Sequence, residues 1–472
     1  MSPNSQSLYI QRPSGTGKRH YQFLMTFLCL VLSSCDTNSV VIFAPNDEEG
    51  YNSDDSFLSW RMSQKDTLAS SFLWGYLLLQ VPAGLFVRKI GPKRLIFGAM
   101  MASSLCAILY PLVALNLGWV VFCLIRFMHG LAQGLVIPCV TEHIAKWAPF
   151  LERNRIFSFV FVGTVVGPIL SLLISGYQAA SPWGWPSIFY CTGLCGVLWS
   201  VAWLFVGADS PDSHPSISDS EREYIKSNLK NTHDYSKILP TPWKEIITSR
   251  PMWALLLMHI CQNWGSWILG TMLPIYFHHV FAYNMNNHVV VSTLPYIIKC
   301  LLTIAFSCIV DFTHENNLMS IKASRRVWNS IAYWGGAIGL IGLSVFTSVQ
   351  GSLVLLIFTV SINAGMFAGF LSNHLDLAPN FSGLLMGITS GFSTFASILA
   401  PTITGFIITS ESRKDQWAHL FFISAVTFFF GNFVFLKYGS TEVQSWNQPL
   451  KYGVDNEGLE FDDISVPARR TI

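Results

Sequence analysis

The sequence predicts an all-α membrane protein with twelve transmembrane helices in two pseudo-symmetric six-helix bundles, and three observations lead to this fold class. Of the 472 residues, 51% are hydrophobic and only 12% are charged, which is about half the charged fraction of a soluble globular protein. Twelve stretches are apolar enough, over about 20 residues each, to cross a bilayer. One long polar segment, 208–250, separates the first six from the last six. This composition excludes a disordered chain and argues against a soluble enzyme.

The predicted spans follow the uninterrupted apolar runs of the chain. They cover 21–44, 66–87, 95–116, 119–141, 155–177, 186–207, 251–277, 289–311, 328–347, 353–375, 383–409 and 417–437. The chain is therefore divided into an N-terminal tail 1–20, a first bundle 21–207, a linker 208–250, a second bundle 251–437 and a C-terminal tail 438–472. The first run has no small-residue cleavage site and is interpreted as a retained span rather than a signal peptide. An amphipathic stretch near 218–230 is expected on the membrane surface.

Lysine and arginine in the short loops indicate the orientation of the spans. Basic residues cluster after the second, fourth and eighth spans: Arg88, Lys89, Lys93, Arg94, Lys146, Arg153, Arg155, Lys322, Arg325 and Arg326. Because basic loops remain on the cytoplasmic side, both termini and the linker are predicted to be cytoplasmic. The basic turn that recurs after the second span of each half also indicates a duplicated six-span bundle.

The cysteines, the net charge and the absence of a nucleotide-binding loop exclude several functions. All ten cysteines lie inside apolar runs, so we expect small packing residues rather than disulfides or metal ligands. A net charge of +2 provides no basic surface for nucleic acid. No Walker loop follows the spans, which excludes an ATP-driven pump. We predict a gradient-driven or facilitated transporter that is not an enzyme and needs no cofactor or metal.

Four ionisable residues fall in the middle of predicted spans, where each costs about 2.5–3.5 kcal/mol on insertion scales. They are Asp36 in the first span, Arg126 and His129 in the fourth, and Lys299 in the eighth. Gln133 continues the stripe of Arg126 by helical spacing, and Tyr296 lies one turn from Lys299. Two cations and one anion leave a positive interior, which suits an anionic substrate that arginine can bind with two hydrogen bonds.

Each of these residues also has a structural alternative. Arg126 either binds an anion or forms an ion pair with Asp36, and Lys299 either contacts substrate or forms a buried pair with Asp36. His129 is a proton carrier or a hydrogen-bonded interior histidine. Asp36 is a cation or proton site, or the partner of one of the two cations. We expect Asp36 and Lys299 to be coupled across the two halves.

Several longer motifs follow one another in order between Tyr21 and Trp446. They include SSFLWGY at 70–76, QVP at 80–82, KWAPFLER at 146–153, DLAP at 376–379 and VQSW at 443–446. In these motifs the chain resembles the anion-transporting branch of the major facilitator superfamily, which includes sialin, the vesicular glutamate and nucleotide transporters and the type I sodium–phosphate cotransporters. The resemblance implies the major facilitator fold and secondary transport of small organic or inorganic anions by alternating access.

The resemblance carries over to the candidate site one residue at a time. Arg126 matches the family's arginine in the fourth span, which is implicated in binding the anion. Sialin-like members have glutamates where this chain has His129 and Gln133, whereas Gln133 matches the phosphate and nucleotide transporters. Asp36 replaces an arginine of the first span. Gln262 stands where the glutamate transporters have an arginine in the seventh span.

These observations combine into one functional prediction. The predicted substrate-binding residues are Arg126, His129, Gln133, Lys299, Tyr76 and Tyr296, and the ion-coupling candidate is Asp36. We expect a monomer in the bilayer that carries a small anion, coupled to sodium first, to membrane potential second and to protons third. The plasma membrane is favoured because the tails show no acidic dileucine signal. The alternatives are a vesicular or lysosomal carrier of nucleotides, acidic sugars or acidic amino acids and, given Asp36 and Arg88, a non-transporting receptor or scaffold.

Overall fold

The first half of the chain forms six helical spans. The structure is a computed structural model that describes residues 15–42, 62–150, 152–179, 181–229, 239–283, 289–346 and 348–447. The helices of the first half are α1 (Lys18–Ile42), α2 (Met62–Ile90), α3 (Pro92–Asn116), α4 (Gly118–Gly134), α5 (Val136–Trp147), α6 (Arg153–Ala179) and α7 (Pro186–Val206). A turn at Leu135 separates α4 from α5 within the fourth span. Pro138 follows in the next turn and cannot donate to the helical ladder.

The second half repeats this six-span arrangement after two short linker helices. The linker contains α8 (Asp219–Asn228) and α9 (Trp243–Thr248), and the second half contains α10 (Arg250–Trp267), α11 (Leu273–Phe281), α12 (Val289–Glu315), α13 (Ile321–Val345), α14 (Val349–Ile362), α15 (Asn373–Leu377), α16 (Ser382–Ile407) and α17 (Lys414–Tyr438). The seventh span is α10 with α11, and the tenth is α14 with α15; each contains a π-helical segment, Ile268–Met272 or Phe367–Leu371. Within the described residues, 9 helical stretches are long and apolar enough by themselves to cross a membrane. Counted by helices rather than by hydropathy, the two halves contain six spans each. The predicted all-α fold with twelve spans is confirmed.

Part of the linker packs against the first half. α8 buries Tyr224 and Ile225. Its Glu221 accepts hydrogen bonds from the backbone N–H groups of Lys18 (2.9 Å) and Arg19 (3.1 Å) at the start of α1. A carboxylate in this position satisfies free N–H groups and is stabilised by the positive end of the helix dipole. The stretch near 218–230 therefore packs on the start of α1, and its position at the membrane surface stays a prediction.

Polar contacts join the two halves at the end where α1 begins and the linker lies, which we call the linker end. There Arg155 of α6 forms an ion pair with Asp311 of α12 (3.5 Å). Glu142 of α5 accepts a hydrogen bond from the backbone N–H of Gly383 at the start of α16 (3.2 Å). Nearby, α2 and α16 pack closely, because a Cβ at Gly387 would lie only 2.3 Å from a backbone oxygen of α2.

Candidate anion site in the first half

A stripe of three buried polar side chains runs along α4. Arg126, His129 and Gln133 follow steps of three and four residues, which place them on one helix face, and none is more than 2% exposed. The stripe reaches the interior because α4 packs directly on α2. A Cβ at Gly130 would lie 2.1 Å from the backbone oxygen of Phe72, so only glycine permits this approach.

The guanidinium group of Arg126 lies between aromatic rings rather than beside a carboxylate. Its central carbon is 4.9 Å from the ring centroid of Phe72 and 5.9 Å from that of Tyr110. Its Nε and NH1 atoms are buried and have no hydrogen-bond partner among the described residues. The alternative of a structural ion pair with Asp36 is not what the structure shows. Cation–π contacts attract the charge but leave the N–H groups of Nε and NH1 available to a ligand.

Asp36 belongs to a network that joins α1, α3 and α4. Its Oδ2 accepts a hydrogen bond from the hydroxyl of Ser103 (3.0 Å) and lies 3.1 Å from Nε2 of His129. Ser103 also accepts a hydrogen bond from the amide of Gln133 (2.6 Å), and the amide oxygen of Gln133 accepts one from Ser33. The second oxygen of Asp36, Oδ1, is buried with no hydrogen-bond partner in the described part of the chain.

His129 uses both ring nitrogens inside this network. An ionised Asp36 can only accept hydrogen bonds, so Nε2 of His129 carries the proton that faces it. Nδ1 is then free to accept a hydrogen bond from the hydroxyl of Tyr110, which is in contact with it. His129 is therefore a hydrogen-bonded interior histidine in contact with a carboxylate.

Phe72 brings Tyr76 to the same place. Its ring stacks on that of Tyr76 with centroids 5.7 Å apart and meets His129 edge-on at 5.4 Å. The first-half cluster thus contains Arg126, His129, Gln133, Asp36 and Tyr76, the five predicted residues of this half.

Four further members of this cluster were not predicted: Ser33, Phe72, Ser103 and Tyr110. Ser103 and Tyr110 lie seven residues apart on α3, so they share a face of an otherwise apolar helix. That spacing is a signal in the sequence. Nothing in the sequence marks Phe72, because a phenylalanine in an apolar helix is usually a packing residue.

A second polar cluster lies in the other half around Lys299. Its ammonium donates a hydrogen bond to the amide oxygen of Asn363 (3.0 Å), and the amide nitrogen of Asn363 donates to Gln262 (3.1 Å). Gln262 also accepts a hydrogen bond from the hydroxyl of Tyr333 (2.7 Å). Lys299 is 9% exposed. Its ammonium group therefore lies in the interior, and its hydrogen-bond partner among the described residues is the neutral Asn363.

Both π-helical segments adjoin this second cluster. The ammonium of Lys299 lies 5.9 Å from the ring centroid of Phe367 in the tenth span. Tyr296, one turn before Lys299 and half-buried, directs its hydroxyl toward Gly270 in the seventh span, where a Cβ would lie 4.0 Å away. Interrupted helices of this kind are frequent at binding sites in transporters.

The predicted pairing of Asp36 with Lys299 is wrong for this structure. Asp36 contacts Ser103 and His129, whereas Lys299 contacts Asn363. Each group has its polar contacts within its own half, and no ion pair between described residues joins Asp36 to Lys299. The two clusters lie in different halves, and no hydrogen bond between described residues joins them.

A groove on the outer surface is separate from both clusters. It has a volume of about 360 Å³ and lies between α1, α6 and α12, lined mostly by apolar side chains such as Phe23, Leu24 and Ile304. Exposed apolar residues here fit a surface that faces lipid. The described residues contain no group of three or more His, Cys, Asp or Glu side chains that could bind a metal, and each of the ten cysteines is a free thiol.

Comparison with known protein families identifies the fold and the class of the chain. The model of the Major Facilitator Superfamily matches residues 26–380. A putative inorganic phosphate cotransporter of Drosophila ananassae is 36% identical over 424 residues, which cover 89% of this chain and 87% of that protein. Human sialin is 31% identical over 82% of this chain and 77% of its own length. Vesicular glutamate transporter 1 of Bos taurus is 30% identical over 86% of this chain and 72% of its own length.

A solved structure shows the same fold. The proton:xylose symporter XylE superposes with a TM-score of 0.69 and covers 91% of this chain and 98% of its own. At 16% sequence identity the likeness concerns the fold alone.

Proposed function

Since this chain belongs to the Major Facilitator Superfamily, in its anion-transporting branch, and is a secondary transporter of anions, we propose that Arg126 binds the anion and that inorganic phosphate is the first candidate. The observation that carries this proposal is the buried guanidinium group whose Nε and NH1 atoms have no hydrogen-bond partner among the described residues. The 36% identical relative named as a putative inorganic phosphate cotransporter supports phosphate.

The charges of the site favour a small anion over a neutral or cationic substrate. An arginine presents two parallel N–H groups that match carboxylate and phosphate oxygens. Lys299 adds a second buried positive charge in the other half. The one acid of the first cluster, Asp36, contacts Ser103 and His129 and forms no ion pair with Arg126 in the described part of the chain, so it does not occupy the donors of the guanidinium group.

Alternating access follows from the position of the two clusters in separate halves. An anion that contacts Arg126 first and Lys299 second would draw the halves together around itself. Opening at the linker end then requires the contacts of Arg155 with Asp311 and of Glu142 with Gly383 to break. One chain supplies both clusters, so we propose a monomer.

Asp36 is the proposed site of the coupling cation. Its Oδ1 is buried without a hydrogen-bond partner in the described part of the chain, and the hydroxyl of Ser103 and the amide oxygen of Gln133 are nearby oxygen donors. Oxygen atoms are the preferred ligands of hard cations such as sodium. A proton shared by Asp36 and His129 is the alternative coupling ion at the same position.

The protein is an integral membrane protein. We propose its orientation and the membrane in which it resides. We place the linker end in the cytoplasm, because the basic loops lie at that end. The plasma membrane is the first choice. The likeness to sialin and to a vesicular glutamate transporter supports a lysosomal or vesicular carrier of organic anions as the second candidate.

Exchange in proteoliposomes tests the proposed function. Purified protein is reconstituted, and counterflow is measured for phosphate, urate, sialate, glutamate and ATP, under imposed sodium, proton and voltage gradients. We expect saturable exchange of phosphate and its loss in Arg126→Ala. Arg413→Ala, which removes an arginine from an exposed loop, is the matched control and should exchange normally. Equal exchange in Arg126→Ala and wild type would overturn the assignment of Arg126.

A further inference from the structure

A chain of three polar side chains lies in the second half, outside the cluster around Lys299. Nδ1 of His259 on α10 is 3.0 Å from Oγ1 of Thr389 on α16, and Nε2 of His374 on α15 is 2.7 Å from the same oxygen. His374 and Thr389 are fully buried, and His259 is 8% exposed. One hydroxyl group therefore bridges two buried imidazoles from two different helices.

The hydrogen-bond partners determine which nitrogens carry protons. Nδ1 of His374 lies 2.8 Å from the carbonyl oxygen of Leu371; because a carbonyl only accepts, this nitrogen carries a proton. In neutral His374, Nε2 then accepts a hydrogen bond from the hydroxyl of Thr389. The Thr389 oxygen in turn accepts one from Nδ1–H of His259. The carbonyl of Met386, 3.3 Å from the same hydroxyl, is the longer alternative acceptor.

We propose that His259, Thr389 and His374 form a proton-binding site that takes up one proton during anion transport, an inference that rests on the proposed function. An incoming proton forms a new N–H bond at Nε2 of His259. The Nδ1 proton of His259 moves to the Thr389 oxygen, and the original hydroxyl proton of Thr389 moves to Nε2 of His374. The positive charge then resides on His374, and the same transfers in reverse release the proton.

Every member of the chain keeps its hydrogen bonds in both states. Before uptake, His259 donates to Thr389 and Thr389 donates to His374. After uptake, Nε2–H of His374 donates to Thr389, and the hydroxyl of Thr389 donates to Nδ1 of His259. Leaving a buried polar atom unpaired is costly, so a site that stays satisfied in both states can change its charge without moving a side chain. A purely structural bridge needs only one of these states.

His259 connects this site to the interior of the transporter. It lies on the face of α10 that continues to Gln262, three residues later, and Gln262 belongs to the cluster around Lys299. Asn263, four residues after His259, donates a hydrogen bond to Ser393 (2.9 Å), one turn beyond Thr389 on α16. We place proton entry and release at His259, which at 8% exposed is the least buried of the three side chains.

His374 connects the site to the contacts at the linker end. Asp376, two residues later, forms an ion pair with Arg325 of α13 (2.8 Å), and Arg325 donates a hydrogen bond to Asn154 of the first half (2.6 Å). A positive charge on His374 competes with Arg325 for Asp376. Proton uptake therefore weakens the ion pair that holds Arg325, the residue that contacts Asn154 of the first half.

Few other titratable groups lie near the three hydrogen-bonded side chains of His259, Thr389 and His374. Arg153 of α6 donates a hydrogen bond to the backbone oxygen of Leu375 (3.4 Å), and Tyr333 of α13 packs against the π-helical segment before α15. Besides His259, α10 contains only Arg250, at its start, and Cys261 as titratable residues, and α16 contains none. The charge on His374 is thus opposed by the burial of its side chain and attracted by Asp376.

Replacement of the bridging hydroxyl tests this proposal. Thr389→Val keeps the shape of the side chain and removes the hydroxyl, and Thr389→Ser keeps the hydroxyl as the matched control. Each variant is reconstituted with inorganic phosphate, with the membrane potential clamped by potassium and valinomycin and with sodium equal on both sides. An imposed proton gradient should drive phosphate accumulation in wild type and Thr389→Ser. Thr389→Val should lose this accumulation but retain phosphate counterflow at equal pH.

Each other outcome has a defined meaning. All variants experience the same phosphate species at each pH, so a difference between them reports on the protein. Proton-driven phosphate accumulation by Thr389→Val at the wild-type level would overturn the proposed proton site. So would phosphate transport by the wild type that does not respond to the imposed proton gradient. Absence of counterflow in wild type would contradict the proposed function instead. If Thr389→Val fails to fold, His259→Asn tests the entry step with the same expected loss.

Discussion

Buried charges with neutral partners determine the chemistry of this protein at the scale of single residues. Arg126 lies against two aromatic rings, and Lys299 donates to the amide of Asn363. Neutral acceptors and π faces stabilise a cation without cancelling its charge. The interior of each half therefore contains a positive charge that is available to bind an anion.

The partner of Asp36 can be identified by double-mutant cycles. Asp36→Asn and His129→Gln should be non-additive, with a coupling free energy of about 0.5–1.5 kcal/mol, because the two side chains share hydrogen bonds. Asp36→Asn and Lys299→Met should add to within about 0.5 kcal/mol, because they contact different partners. Reversible denaturation in mixed micelles measures both cycles. Coupling in the second cycle and additivity in the first would contradict this part of the structure.

At the scale of elements, the functional positions coincide with interrupted helices. In the tenth span the freed N–H of Phe370 donates to Asn329 (3.1 Å), and the carbonyl of Leu371 meets His374 (2.8 Å). Side chains thus replace the missing helical hydrogen bonds, as the bilayer requires. The interruption near Phe367 and the one near Gly270 both adjoin the cluster around Lys299.

Hydropathy predicts that these spans exist but not where they break or end. The predicted fourth span 119–141 continues to Trp147 in the structure, and the tenth, 353–375, continues to Leu377. Polar side chains at the linker end lower the hydropathy there although the helix continues. The stripe of Arg126, His129 and Gln133 was predictable because helical periodicity is local. The contact of Asp36 with His129 was not, because it depends on how α1 packs against α3 and α4.

Glu142 provides a second test at this scale. It lies in the first half and accepts a hydrogen bond from the start of α16 in the second half. Its carboxylate accepts a hydrogen bond from Gly383 and neutralises the positive end of the α16 dipole. Glu142→Ala should weaken the linker-end contacts and favour opening at that end. Spin labels at Tyr177 and Phe406, which are 83% and 81% exposed at the opposite end of the two halves, should then move closer together.

The matched control for that experiment is Glu411→Ala. Glu411 contacts His279 within the second half alone, so its removal should leave the distance between the two labels unchanged. The labels need a background in which the exposed cysteines Cys191, Cys195 and Cys308 are replaced. An unchanged distance distribution in Glu142→Ala would show that this carboxylate does not stabilise closure at the linker end.

At the scale of the whole molecule, segments outside the spans complete the linker end. Glu221 of α8 accepts hydrogen bonds from the start of α1. The segment after α17 returns to the tenth span, where the backbone N–H of Gln444 donates to the backbone oxygen of Leu377 (3.0 Å). Asn447 accepts a hydrogen bond from the backbone N–H of Asn380 (3.0 Å). These contacts anchor the loop that precedes α16, the same helix that contacts Glu142.

Truncation distinguishes this anchoring segment from the residues beyond it. A chain that ends after Asn447 should retain the wild-type rate of anion exchange and the wild-type melting temperature. A chain that ends after Tyr438 loses the hydrogen bonds to Leu377 and Asn380 and should melt at a lower temperature, since each lost bond costs about 0.5–1.5 kcal/mol. Thermal unfolding in detergent measures both. Equal melting temperatures for the two truncations would rule out the anchoring role.

The central claim is that the buried guanidinium group of Arg126 binds the anion and does not stabilise the fold. One comparison of melting temperatures tests this claim most directly. Arg126→Met keeps an unbranched side chain that can pack against the two rings and removes the charge. Thermal unfolding in detergent is measured with and without phosphate, for wild type and variant. Because an uncompensated buried charge is unfavourable, the account predicts that the variant without ligand melts no lower than wild type, while phosphate stabilises wild type alone. A variant that melts well below wild type yet is still stabilised by phosphate would contradict the account, since Arg126 would then be a structural residue.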